Sequence, residues 1–506
     1  MGSELRTEPE IRTATGIVRG RWEKAVAVFR GIPYAAPPFG PHRFAAPGPV
    51  QRWAGVRDAS TFGPMVPQAA HSGAVMSAVA GNAGDGSVDC LTLNIWSPDL
   101  GAAGLPVMVW IHGGRYLEGT SGNPHHDGAA LAGAGVIMVS VNYRVGVEGF
   151  AHIAGAPDNR GILDQAAALR WVQDNIAAFG GDPGTVTVFG QSAGAGCIAA
   201  LLAMPISAGL FHRAIVQSMP GTYLSEKLAG AVSAAIAAEL GAQATVEELA
   251  PIPPRALTAA TEAVLRRMPT CAAEWGPMTI TPTPFSPVVD GVLLPDAPWR
   301  PLAGGAARDI DLLVGHTRDE YRLFSGEPDD TITEQQVSIT LDRLAPRPDG
   351  GSAYRTAYAG TTPGELAEIV KSDWLFRMPA LHLADAQHTG GGSVRTYELS
   401  WSYHRDQGAS HSLDFLLIFG TLDINEVRHH PRAIPGAADE LAHISRHMRS
   451  DWVRFATTGH PGWSPYAPHT RTTRIYGSTT TTGPYPEERS RRIWSTYQFD
   501  TLDLVT

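Results

Sequence analysis

Ser192 lies in the pentapeptide Gly190-Gln191-Ser192-Ala193-Gly194, between a run of strand-forming residues, Thr185 to Phe189, and a helical stretch, Ala195 to Met204. A G-x-S-x-G pattern between strand and helix makes a sharp, strained turn that lifts the serine hydroxyl to the end of a sheet. The helix N-terminus behind it adds positive potential where an oxyanion would form. A plain small-residue turn would carry the same letters, so the serine needs partners. A serine is a weak nucleophile without a base. With 18 histidines in the chain, composition selects none of them. His411 is singled out by position, late in the chain in the small-residue loop Gly408-Ala409-Ser410-His411-Ser412, just before an apolar segment. Alone, it reads equally well as a solvated loop histidine. Asp319-Glu320 directly follows the apolar strand 310–315 and supplies a carboxylate to orient an imidazole. Either residue of that pair could serve. Serine, carboxylate and histidine together would perform nucleophilic acyl chemistry through a covalent serine ester.

Such a constellation needs a rigid frame. Two continuous apolar runs, Pro106 to Ile111 and Val136 to Val141, read as strands covered on both faces. Thr185 to Phe189, Ala214 to Gln217 and Ile310 to Gly315 add three more. Leu163 to Phe179 carries apolar residues at near-helical spacing, with Leu169, Val172, Ile176 and Phe179 on one side. Strands alternating with helices predict an α/β fold with a large, mostly parallel sheet flanked by helices. Its carboxyl edge is where such sheets place their sites, and the order serine, acid, histidine is that of the α/β-hydrolases. Gly16–Gly20 and Ala25–Phe29 predict an N-terminal β-hairpin. Stretches 225–270 and 325–385 read as helical insertions. No repeat or linker divides the chain, so residues 1–506 are expected to form a single domain.

Composition excludes other classes. A formal net charge of −10 and the lack of any basic run argue against nucleic acid and against anionic membranes. No apolar run reaches the length of about 18 residues that a spanning helix needs, and the polar N-terminus carries neither a signal-peptide core nor a myristoylation pattern. Three cysteines, Cys90, Cys197 and Cys271, make no disulfide framework, and no asparagine begins a glycosylation sequon. Both features favour the cytoplasm. Lysine is rare beside arginine, a skew that reads as coding bias. His125-His126 and His429-His430 lack ligand companions at metal spacing. No metal or cofactor is expected, and the oligomeric state is left open. Trp110, Trp171, Trp452 and Cys197 read as packing.

The chain resembles the type-B carboxylesterases nearly end to end. The resemblance is carried by FRGIPYAAPPFGPHRFAAP (29–47), DCLTLNIWSP (89–98), WIHGGRYLEG (110–119), NYRVGVEGF (142–150), the long match ending in GQSAGA (158–195), FSPVVDGVLLP (285–295), VGHTRDE (314–320) and GASHSLDFLLIFG (408–420). It implies Ser192 as nucleophile, Glu320 as acid and His411 as base. It also implies an oxyanion hole made by the backbone N–H groups of Gly114, Arg115 and Ala193. Asp319 is the alternative acid. The implied activity is hydrolysis of small-molecule carboxylic esters through an acyl-enzyme, without a cofactor. A biosynthetic acyl-transfer enzyme, thioesterase or cyclase would use the same triad. A non-catalytic binding protein on this fold would have lost one of its members.

Departures from the family pattern refine this expectation. The position that should pair with Cys90 in a disulfide is Val66, so that bond is absent. Val88 replaces a glutamate that would pair with Arg43. The loop Met65 to Val88 has no aromatic residue for a quaternary ammonium, which argues against choline esters. Thr281-Pro282-Thr283-Pro284 stands where narrowing aromatics can occur, implying a roomier and more polar acyl pocket. Tyr321 occupies a usual glycine position and sends Arg322 toward the pocket wall. Arg115 replaces a usual glycine or alanine in the oxyanion loop. It either turns aside to pair with a carboxylate such as Glu118, or reads a polar or anionic acyl group together with Arg322. The candidate substrate-binding residues are therefore Arg115, Arg322, Tyr223, Thr281, Thr283 and Phe324.

Overall fold

The computed structural model describes residues 7–69, 89–325 and 331–505. Among the described residues, eleven strands form the main sheet. From one edge they run Thr481–Pro484, Thr472–Tyr476, Val394–Leu399, Asp311–Thr317, Arg213–Gln217, Gly181–Gln191, Leu105–Ile111, Ile137–Val141, Thr92–Ser97, Val26–Pro33 and Arg21–Glu23. Pairing is parallel from Thr472–Tyr476 across to Ile137–Val141 and antiparallel at both flanks. The continuous apolar strands explain this arrangement. Along Leu105–Ile111, Val107, Val109 and Ile111 pack into one apolar cluster while Met108 and Trp110 pack into another on the opposite face. Both faces are covered, so both sets of side chains are apolar.

Helix Arg160–Asn175, followed by a 3-10 turn to Phe179, and helix Ala193–Ala203 supply one covering layer. The long helix Ala437–Thr458 supplies the other, through Trp452 and Phe455 against Trp110, Phe189 and Ile215. Both expected insertions are helical. The first contains Glu226–Ala238, Val246–Leu249 and Pro254–Arg267. The second contains Glu334–Leu344, Gly350–Ala357, Pro363–Ser372 and Met378–Thr389, with a π-helical turn at Asp373–Arg377.

The N-terminal hairpin differs from expectation. Ile17–Arg19 pairs with Glu10–Arg12 and Val56–Asp58 in a separate three-stranded sheet. The hairpin instead joins Arg21–Glu23 to Val26–Pro33. Lys24, at φ 56°, makes the turn. A Cβ at Gly20 would lie 2.4 Å from the Val28 carbonyl, so the chain crosses there between the two sheets.

Arg43 finds another buried partner: its guanidinium bonds the Glu148 carboxylate at 2.5 Å and the Ala250 carbonyl at 2.9 Å. Val88 and most of the Met65–Val88 loop lie outside the described residues. Cys90, Cys197 and Cys271 are free thiols, and burial pushes Cys197 up to about 12, which keeps it unreactive near neutral pH. No helix among the described residues is long and apolar enough to cross a membrane.

Candidate active site

Ser192 stands where Gly181–Gln191 ends and helix Ala193–Ala203 begins, at φ 58° and ψ −128°. This is a strained backbone for a residue with a side chain. The neighbouring glycines make it possible, because a Cβ on Gly194 would lie 2.1 Å from the Ile111 carbonyl and one on Gly190 would lie 2.6 Å from it. The Ser192 N–H donates to the Gln217 carbonyl at 2.9 Å, fastening the turn to the adjacent strand.

The loop after Leu105–Ile111 faces this turn. Gly114, Arg115 and Tyr116 all have positive φ, at 123°, 59° and 59°. The Gly114 carbonyl accepts from the N–H groups of Leu117 and Glu118, each at 3.0 Å, which closes a tight turn. A Cβ on Gly114 would meet the Glu118 carbonyl at 2.1 Å, so only glycine fits. Behind the loop, Tyr143 donates to the His112 carbonyl at 2.6 Å. Among the described residues, the N–H groups of Gly114, Arg115 and Ala193 donate to no protein acceptor.

Glu320 and His411 come together as a buried pair, with His411 Nδ1 hydrogen-bonded to Glu320 Oε2. The other Glu320 oxygen accepts from the Thr317 N–H at 2.9 Å. Burial would push the Glu320 carboxyl up, but the charge and hydrogen bond of His411 outweigh it and hold the group below the ordinary range. Asp319 faces elsewhere. It accepts from the Ala409 N–H at 2.8 Å, donates its own N–H to the Ala409 carbonyl at 2.9 Å, and pairs with Arg318 and Arg322. It thereby latches the His411 loop to the end of the sheet, one residue from Glu320.

On its other side, His411 Nε2 lies 3.0 Å from the Gln191 side-chain amide. Among the described residues no hydrogen bond joins Ser192 Oγ to His411. The aromatic rings of Phe376 and Phe324 pack against the imidazole at 4.3 and 5.4 Å between centroids.

Two cavities meet at Ser192, sharing Arg115, Ser192 and Phe324. The outer one, of about 240 Å³, is bordered by His411, Gln191, Trp110, His126 and Phe415. The inner one, of about 20 Å³, is bordered by Ala193, Thr281, Pro282, Thr283, Leu375 and Phe376, and not by His411.

Several expectations about the walls are corrected. Thr281 and Thr283 do border the inner cavity, but Thr281 donates to the Met278 and Thr283 carbonyls, and the Thr283 hydroxyl accepts from the Phe285 N–H. With those hydroxyls engaged in their own loop, and with Pro282, Leu375 and Phe376 around them, the cavity is small and largely apolar rather than roomy and polar. Tyr223 is fully buried against helix Ala193–Ala203, donating to the Gly196 carbonyl at 3.0 Å, and borders neither cavity. Arg322 also borders neither, being held by Asp319 at 3.2 Å and by the Asp406 carbonyl at 3.2 Å. Arg115 takes the carboxylate option. Its Nε and Nη2 bond Glu118 at 3.2 and 2.9 Å, and Nη1 bonds the Pro282 carbonyl at 3.3 Å. Its charge is paired in place, and the side chain still borders both cavities.

Sequence reasoning missed Gln191, Leu375 and Phe376, and it read Trp110 as packing alone. Gln191 was visible as the neighbour of Ser192, but its side-chain direction was not. Leu375 and Phe376 lie in the π-helical turn of the second insertion and carry no local signal.

The whole-chain comparisons agree with this geometry. A model of the carboxylesterase family matches residues 7–490. The para-nitrobenzyl esterase of Bacillus subtilis is 37% identical over 499 residues, covering 96% of this chain and 98% of that protein. The phenmedipham hydrolase of Pseudarthrobacter oxydans is 36% identical over 467 residues, covering 90% and 91%. A solved PNB esterase structure superposes with a TM-score of 0.84 at 36% identity, over 96% of this chain and 99% of that one. A serine at a strained strand–helix turn, a buried Glu–His pair beside it and likeness over nearly the whole length lead to one conclusion: the chain belongs to the carboxylesterase family and is a type-B serine hydrolase acting on carboxylic esters.

Proposed function

We propose that Ser192 attacks the ester carbonyl while His411 takes its proton, Glu320 stabilises the imidazolium, and the amides of Gly114, Arg115 and Ala193 hold the oxyanion. The carbonyl carbon gains the Ser192 Oγ bond and then loses the alcohol oxygen, which leaves with the proton from His411. Water repeats the sequence on the acyl-enzyme, releasing the acid and restoring the serine. The observation that carries this reading is the buried Glu320–His411 pair opening into the same cavity as Ser192 at its strained elbow. Since His411 must protonate the leaving alkoxide, the alcohol part of the ester occupies the outer cavity. The acid part occupies the inner one. The binding-protein reading is disfavoured because all three members are present and two are already paired. Free thiols and the absence of a sequon support a cytoplasmic enzyme. One sheet built from residues 21 to 484 supports a single domain.

Ser192→Ala should leave the fold intact and lower ester hydrolysis by a factor of about 10⁴ or more. Para-nitrophenyl acetate turnover, with circular dichroism as the check on folding, measures this. Activity within tenfold of the parent would assign the chemistry to another residue.

A further inference from the structure

We propose that Arg115 sets the size of the acyl group: with Glu118 and Pro282 it forms a strap between the two cavities at Ser192 that restricts the acid part of the ester to about acetyl or propionyl. This rests on the proposed roles of Ser192 and His411, which direct the acid part into the cavity His411 does not border. That cavity has room, at about 20 Å³, for little more than one small group. The outer cavity is far larger, at about 240 Å³. Among the described residues, only Arg115, Ser192 and Phe324 border both. Ser192 is the attacking group. Phe324 is stacked on Phe376 at 6.0 Å and lies against His411, so its ring is already held. Arg115 is the remaining partition. Its guanidinium is fastened at both ends, to Glu118 on its own loop and to the carbonyl of Pro282 on the acyl wall. Its backbone sits at φ 59°, where a side chain is disfavoured and glycine is not. The cross-link between the oxyanion loop and the acyl wall offsets that cost. Removing the side chain joins the inner cavity to the outer one and opens a path for a longer acyl chain.

The test is a chain-length profile on para-nitrophenyl acetate, butyrate and octanoate, run beside fluorophosphonate labelling of Ser192. The parent should favour acetate. Arg115→Gly should raise the octanoate-to-acetate ratio of kcat/KM by about tenfold or more, since each methylene accepted or rejected by an apolar pocket is worth about that much. A ratio within twofold of the parent, in a variant that still turns over acetate, overturns the proposal. If Arg115→Gly does not fold, Glu118→Gln loosens the strap without altering the loop backbone. The ratio should rise there too, and an unchanged ratio overturns the proposal. A parent labelled at Ser192 with an unmoved profile means that the strap fails. A parent not labelled there means that the nucleophile assignment fails.

Discussion

At Gln191 a single side chain decides what the imidazole touches at rest. With Nδ1 bonded to Glu320, His411 Nε2 faces the Gln191 amide at 3.0 Å, a contact that the proposed proton transfer from Ser192 would have to displace. A carboxylate in the same place would favour the charged imidazolium. Gln191→Glu should therefore move the acid limb of the kcat/KM–pH profile up by about one unit. An acid limb that stays put would show that residue 191 does not face the imidazole during turnover. Glu320, with its carboxyl held below the ordinary range by the charge and hydrogen bond of His411, stays ionised at neutral pH. Glu320→Gln should lower kcat by about 10³–10⁴-fold, because the imidazolium then loses its counter-charge.

At the level of elements, the site depends on three loop ends meeting: the elbow after Gly181–Gln191, the loop after Leu105–Ile111, and the His411 loop. Asp319 fastens the third to the end of Asp311–Thr317 through the Ala409 amide and carbonyl. Asp319→Ala removes the carboxylate that holds the Ala409 N–H and pairs two arginines, so it should lower the melting temperature and cost about tenfold in kcat through a loosened loop. Glu320→Gln, by contrast, should cost activity far more than stability. If Asp319→Ala proves the more damaging to kcat with its melting temperature unchanged, the acid has been chosen wrongly. The elbow is equally exacting. Gly194→Ala drives a Cβ into the Ile111 carbonyl at 2.1 Å, and soluble expression or thermal melting should register the loss.

Across the whole molecule, three buried histidines and the half-buried His382 tie stability to pH among the described residues. Burial lowers His112 to about 4, His126 to about 3, His316 to about 4 and His382 to about 4. In the unfolded chain each takes up a proton near 6.5, whereas in the folded chain each stays neutral until far lower. Their contribution to stability is therefore complete above about 6.5 and is lost as pH falls from there toward 4, at about 1.4 kcal/mol per histidine per pH unit. The urea midpoint should drop markedly between pH 7.5 and 5.5, and a flat profile would contradict neutral burial of these rings. Much of this protein was written locally in its sequence. Continuous apolar runs mean strands covered on both faces. The G-x-S-x-G turn means an elbow. Residue order and resemblance pointed to Ser192, Glu320 and His411, and the fold pairs Glu320 with His411 and sets His411 and Ser192 on one cavity. Strand Val394–Leu399 was not legible, because Arg395 and Glu398 break its apolar run although every residue in it is buried. The pocket walls were not legible either. Arg322 and Tyr223 lie close in sequence to site residues but turn away from the cavities, while Phe376 reaches His411 from the far end of a helical insertion. Backbone type follows from neighbours along the chain. The direction of a side chain at a loop is set by whichever distant carbonyl, carboxylate or ring satisfies it, and only the tertiary structure brings those partners within reach.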